Sequence, residues 1–188
     1  MCRYAMSTYK PHFACFKCRK TFKRRLMVDI DRDKAYKKNY WQNIHIAAKC
    51  PECASLMANM GLDFEAPKKN DKKAWQHMEN LYKSGIAFHS CGCTGPGYIP
   101  KDKEKLLEYL NQRKADYIRH RRFWSNRIEP KTDSEKQKDW NKNSEFLCTV
   151  PYTLKTGSKN NRRVDIEKAV EYWTAKTNEI EEYIANLA

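Results

Sequence analysis

No apolar run in the chain approaches the about 20 residues needed to cross a bilayer, and the opening MCRYAMSTYKPH has no apolar signal core. These absences predict a soluble, cytoplasmic protein with no membrane partner. Acidic residues are in short supply: 23 Asp and Glu face 37 Lys and Arg among 188 residues, a net charge of +14. An excess of that size, read as spread over both halves of the chain, makes a polyanion the natural partner. Internal repeats and low-complexity tracts are missing. So are the Walker and dinucleotide-binding fingerprints, the His-Glu-x-x-His of metalloproteases and any nucleophile-elbow context. Zinc deaminases need Pro-Cys-x-x-Cys, whereas this chain reads Cys-Pro-Glu-Cys. Neither an enzymatic activity nor a small-molecule substrate is therefore expected.

Cysteine, by contrast, is plentiful, with eight residues. Disulfides are rare in a reducing compartment, so the thiols point to metal. Two Cys-x-x-Cys pairs, Cys15/Cys18 and Cys50/Cys53, supply the four thiolates that tetrahedral Zn²⁺ takes in a closed structural site. Each pair fits a tight turn whose amides point toward sulfur. The 31 residues between the pairs exceed the usual spacing of about 15 to 20, which an inserted loop explains. A redox dithiol would open a helix in a βαβ context. Cys15 is followed instead by aromatic and basic residues with the look of a hairpin.

His89, Cys91 and Cys93, with Cys2 or His12, form a weaker candidate for a second metal site, structural or open and catalytic. The Gly-Pro-Gly turn around them accounts for their small neighbours without a metal. Cys148 stands alone and is expected to pack.

The pattern predicts an α+β protein, with a β module over residues 1–66 and a mostly helical region over 67–188. Helices are expected at about 71–84, 101–128, 133–147 and 165–187. In the first, Trp75, Met78, Leu81 and Tyr82 share a face and Gly85 offers a left-handed stop. The second repeats Leu106, Leu110, Tyr117, Trp124 and Ile128 until Pro130 ends it. Thr132 and Glu135 are spaced as a capping box at the start of the third. The fourth carries a heptad seam of Ile166, Val170, Trp173, Thr177, Ile180, Ile184 and Leu187. That seam is expected to pack in an antiparallel hairpin on the second helix. Its alternative use, between two chains, would make the protein an interaction adaptor.

The stretches CFKCRKTF and CPECASLM resemble the two knuckles of the zinc-ribbon family over about residues 12–62. The family commonly has glycine after the second cysteine of a knuckle, where Arg19 and Ala54 stand here. The resemblance implies a structural Zn²⁺ and, frequently, contact with nucleic acid or a large nucleoprotein machine. The first 24 residues are also similar to those of a set of short bacterial proteins, which implies no activity.

Cations interleave with aromatics in FKCRKTFKRR and IRHRRFWSNR, so that charges can meet phosphates while flat rings stack on bases. Trp124, lying on the apolar stripe, is expected inside. The candidate contacts are Arg19, Lys20, Lys23, Arg24 and Arg25 around the first knuckle, then Arg119, Arg121 and Arg122, and the basic loop Lys159, Arg162 and Arg163. Without a helix-turn-helix or a Cys₂His₂ finger, RNA is the expected partner, ribosomal RNA above all, met as a ribosomal or ribosome-associated protein. The alternatives are a zinc-ribbon DNA-binding or transcription-associated adaptor, and a metal-dependent enzyme built on His89, Cys91 and Cys93.

Overall fold

The computed structural model describes residues 10–23, 47–88, 97–157 and 163–187. The chain divides into two compact units, Met1–Lys103 and Glu104–Ala188.

Three short strands open the first unit: β1 (His12–Cys15), β2 (Lys20–Lys23) and β3 (Ala58–Gly61). They form an antiparallel sheet in the order β2-β1-β3. The central strand is covered on both faces, as the period-2 alternation of a strand allows. Phe13 and Cys15 point to one side, into a cluster with Ala48, Cys50 and Met57. Ala14 points to the other, where it meets Ala58, Met60, Phe64 and Trp75.

Trp75 belongs to α1 (Lys72–Lys83), which Asp71 caps by accepting from the Ala74 N–H at 2.9 Å. Gly85 follows with φ of 75°, the expected left-handed stop. Trp75 and Leu81 are buried, while Tyr82 stays 39% exposed beside Phe16. Expected with the helical region, this helix packs instead on the sheet of the first unit. Beyond it, Phe88 makes a parallel bridge to Gly61.

The second unit holds α2 (Lys103–Ser125), α3 (Asp133–Thr149), a two-residue ribbon of β4 (Lys155–Thr156) and β5 (Arg163–Val164), and α4 (Ile166–Leu187). Contacts run from Lys114 with Glu181, through Tyr117 and His120 with Trp173, to Trp124 clustered with Ala169, so α2 and α4 are antiparallel. The seam is real: Trp173, Thr177, Ile180 and Leu187 are buried, as is Ala169 beside them. His120 is buried too, stacked on Trp173 at 4.3 Å and edge-on to Phe146 at 5.0 Å.

Two expectations fail in this unit. Ile128 is 87% exposed, because α2 ends at Ser125, where the Ser125 hydroxyl and the Asn126 amide donate to the last carbonyls. Cys148 is exposed, since α3 turns Phe146 and Leu147 toward the core and position 148 away from it.

The capping box forms as expected. The Thr132 hydroxyl accepts from the Glu135 N–H at 3.3 Å, and Glu135 accepts from the Thr132 N–H at 3.0 Å. After α2, Arg127 turns back under α3 to make a two-pronged pair with Asp139 at 2.6 and 2.7 Å. The pair is largely hidden, with side-chain exposures of 10% and 17%. Asn143 donates to the same carboxylate at 2.7 Å and departs from helical geometry, kinking α3. Arg127 thus holds Asp139 below the usual carboxylate pKa range.

The division also corrects the charge reading. Residues 1–103 hold 20 Lys and Arg against 9 Asp and Glu, whereas residues 104–188 hold 17 against 14. Most of the excess therefore belongs to the sheet-bearing unit. No helix among the described residues is long and apolar enough to cross a membrane.

Candidate metal centre

The turn from β1 to β2 and the turn from Lys49 to Leu56 bring their cysteines to one point. The sulfur atoms of Cys15, Cys18, Cys50 and Cys53 all lie within 4.8 Å of one another, and those of Cys15 and Cys53 are 3.6 Å apart. Metal–sulfur bonds of about 2.3 Å in a tetrahedron require sulfur separations of about 3.8 Å, so the set fits a single four-coordinate ion such as Zn²⁺. The first cysteine of each pair, Cys15 or Cys50, is buried, and the second is half-buried. This is the arrangement of a closed site, with all four positions taken by protein.

Backbone geometry shapes each knuckle. The Cys18 N–H points to the Cys15 sulfur at 3.5 Å. In the second knuckle the Ala54 N–H donates to Cys50 O, and the Cys50 N–H to Ser55 O, each at 2.9 Å. Reversing the chain this tightly drives the residue after the second cysteine into the left-handed region. Arg19 has φ of 51° and Ala54 of 56°, and no other non-glycine residues among those described have positive φ. These are the two positions at which the zinc-ribbon pattern favours glycine.

Four thiols this close cannot all ionise unaided. Hydrogen bonding with the Ser55 side chain and backbone pulls the Cys53 thiol down to about 6. Cys18 is pushed up, chiefly by its contact with the Cys53 sulfur, and Cys15 is pushed up by burial. Thiolates packed this closely repel one another, and a bound cation relieves that repulsion. Lys20 reaches across to pair with Glu52 of the opposite knuckle, which raises the lysine's pKa and lowers the carboxylate's. Sequence reading missed both Ser55 and Glu52, which reveal themselves only once the knuckles face each other.

Among the described residues no other group of His, Cys, Asp or Glu could hold a metal. Cys2, His89, Cys91 and Cys93 lie outside the described residues. His12 is the first residue of β1, with its ring edge-on to Phe64. His77 is bonded to Pro100 O at 2.8 Å, and Glu79 is paired with Lys83, so neither joins the cysteines.

The candidate nucleic-acid contacts are dispersed. Arg19 spends its Nε on Lys69 O at 2.9 Å, Lys20 is half-buried against Glu52, and Lys23 is exposed at the end of β2. Arg119 is engaged by Asp116 and Glu145, at 3.3 and 2.6 Å. Arg121 is half-buried, whereas Arg122 and Arg163 are exposed. Arg24, Arg25, Lys159 and Arg162 lie outside the described residues.

The aromatic partners of these cations face inward: Phe22 stacks on Phe13, Phe123 stacks on Phe146 at 4.3 Å, and Trp124 is 1% exposed. No known family model matches the chain, and no curated protein and no solved structure is significantly similar to it.

Proposed function

We propose that the four thiolates hold Zn²⁺ as a closed structural centre, and that the ribbon it organises binds RNA through phosphate contacts. The observation that carries this reading is the concentration of positive charge in the metal-bearing unit, 20 basic against 9 acidic residues. Lys17 and Lys23 are exposed there, and half-buried Arg19 donates to Lys69 O through its Nε. Inward-facing rings favour recognition of shape and backbone over stacking at this surface, which suits folded RNA and, most of all, ribosomal RNA in a large particle. The ion's part is to supply folding free energy to a sheet of four-residue strands too small to hold itself.

Sedimentation of the native protein through sucrose gradients, at low and high salt and with or without ribonuclease, tests the reading. Co-migration with a ribosomal subunit, released by ribonuclease and weakened by salt, is the expected result. For purified protein and structured RNA, the logarithm of affinity should fall with the logarithm of salt by about 0.9 per phosphate contacted. A protein that stays at the top of every gradient and has no salt-dependent RNA affinity would refute it. Tighter binding to duplex DNA would favour the transcription-associated alternative.

A further inference from the structure

A cavity of about 840 Å³ opens in the second unit, between the end of α2, α3 and the β4–β5 ribbon. Its size falls in the range of small-ligand sites, about 300–1,000 Å³. Trp124 and Leu147 contribute an apolar lining, and Trp140 of α3 adds an indole that is 50% exposed.

The charges sort themselves into pairs and a remainder. Arg127 and Asp139 neutralise each other, as do Lys136 and Asp133 at 2.9 Å. Among the described residues, what remains is Lys131, Lys155 and Arg163, against Glu129 alone. Lys155 is anchored by donating to Leu147 O at 3.3 Å, which leaves further N–H bonds for a ligand. A flat exposed ring beside a cluster of anchored and exposed cations matches a ligand that is both planar and anionic.

We propose that this cavity binds one nucleotide, its base against the Trp140 indole and its phosphate held by Lys131, Lys155 and Arg163. The ligand chemistry is that of a nucleoside monophosphate, either free or as an unpaired residue of single-stranded RNA. The second source rests on the RNA reading above and deepens it; the first does not need it.

The test is calorimetric titration of the full-length zinc-loaded protein with adenosine 5′-monophosphate, adenosine, inorganic phosphate and an eight-residue oligouridylate. The monophosphate should bind, with adenosine and phosphate each at least about tenfold weaker, because each keeps only half of the contacts. Trp140→Ala should weaken the monophosphate about tenfold, the typical effect of removing one stacking ring. Arg163→Ala, an exposed change, should weaken the monophosphate but not adenosine.

Circular dichroism checks that each variant keeps its helices, and Arg163→Ala carries the test alone if Trp140→Ala does not. Competition between the oligouridylate and the monophosphate identifies the strand as the source. Binding of the monophosphate without the oligouridylate identifies a free nucleotide; the cavity proposal then stands even if RNA binding fails altogether. Absence of monophosphate binding, or binding indifferent to Trp140→Ala and Arg163→Ala, overturns the proposal. Salt-dependent RNA affinity that persists in that case leaves the ribbon reading intact.

Discussion

Replacing Ala54 by glycine should tighten the metal centre. An L-residue in the left-handed region costs about 1–2 kcal/mol, and glycine escapes that cost while losing about 0.5–1 kcal/mol more conformational entropy on folding. Ala54 is exposed, and its structural contribution at the turn is the N–H donated to Cys50 O, which glycine keeps. The balance is a gain of about 0.5–1 kcal/mol, and because ribbon folding and metal binding are linked, zinc affinity should rise about two- to fivefold.

Arg19→Gly relieves the same strain but deletes the bond from Nε to Lys69 O. A hydrogen bond of that kind contributes about 1 kcal/mol, so the two effects nearly cancel and the affinity should hardly move. Competition against a chromophoric chelator at fixed pH measures both variants. Ala115→Gly, at an exposed position inside α2, serves as the control for glycine's entropy and should lower the stability of the helical unit by about 1 kcal/mol. A drop in zinc affinity for Ala54→Gly would refute the left-handed turn and the knuckle geometry inferred from it.

The other expectations concern the metal and the helical unit. Cys50→Ser, or chelation of the ion, should unfold the ribbon and leave the helical unit's circular dichroism largely unchanged; a ribbon whose amide spectrum survives chelation would count against a structural metal. Asp139→Asn strands a buried guanidinium and should cost about 3–5 kcal/mol in denaturant unfolding, whereas Arg127→Met with Asp139→Leu should recover most of that loss.

Burial lowers the pKa of His120, so its neutral form is the native one. Its contribution is complete above the unfolded value of about 6.5 and is lost as pH falls from there through the lowered native value. Stability of the helical unit should therefore decline in mildly acidic buffer. His120→Phe, which keeps a ring on Trp173, should flatten that decline, and an unchanged pH profile would remove His120 as its cause.

What could be read from the sequence was whatever depends on spacing along the chain. The two cysteine pairs, the Thr132–Glu135 box, the Gly85 stop and the α4 seam are each set by residues within a turn or a heptad of one another. What escaped depends on partners far apart in sequence. His120 is polar by type, and only Trp173 and Phe146 make it a core residue. Arg127 looks like one more surface cation until Asp139 is brought beneath it.

The basic and aromatic interleaving misled for a related reason. Alternation in β2 sends Phe22 inward to Phe13 while Lys23 stays outside, so the same pattern describes a packed strand as well as a stacking platform. The extent of α2 failed at Ile128, because side-chain bonds from Ser125 and Asn126 end the helix before the apolar periodicity does.

The strand order has a consequence for self-association. β2 is the outermost strand of the three, and among the described residues nothing pairs with its far side. An open edge is a template for another chain, and lysines along it are a common safeguard against such pairing. Lys20 and Lys23 sit on that edge. Lys20 is paired with Glu52, so the charge of Lys23 is the one expected to discourage such pairing, and when it is neutralised by mutation, a loss of RNA binding has to be separated from the onset of aggregation by light scattering on the same sample.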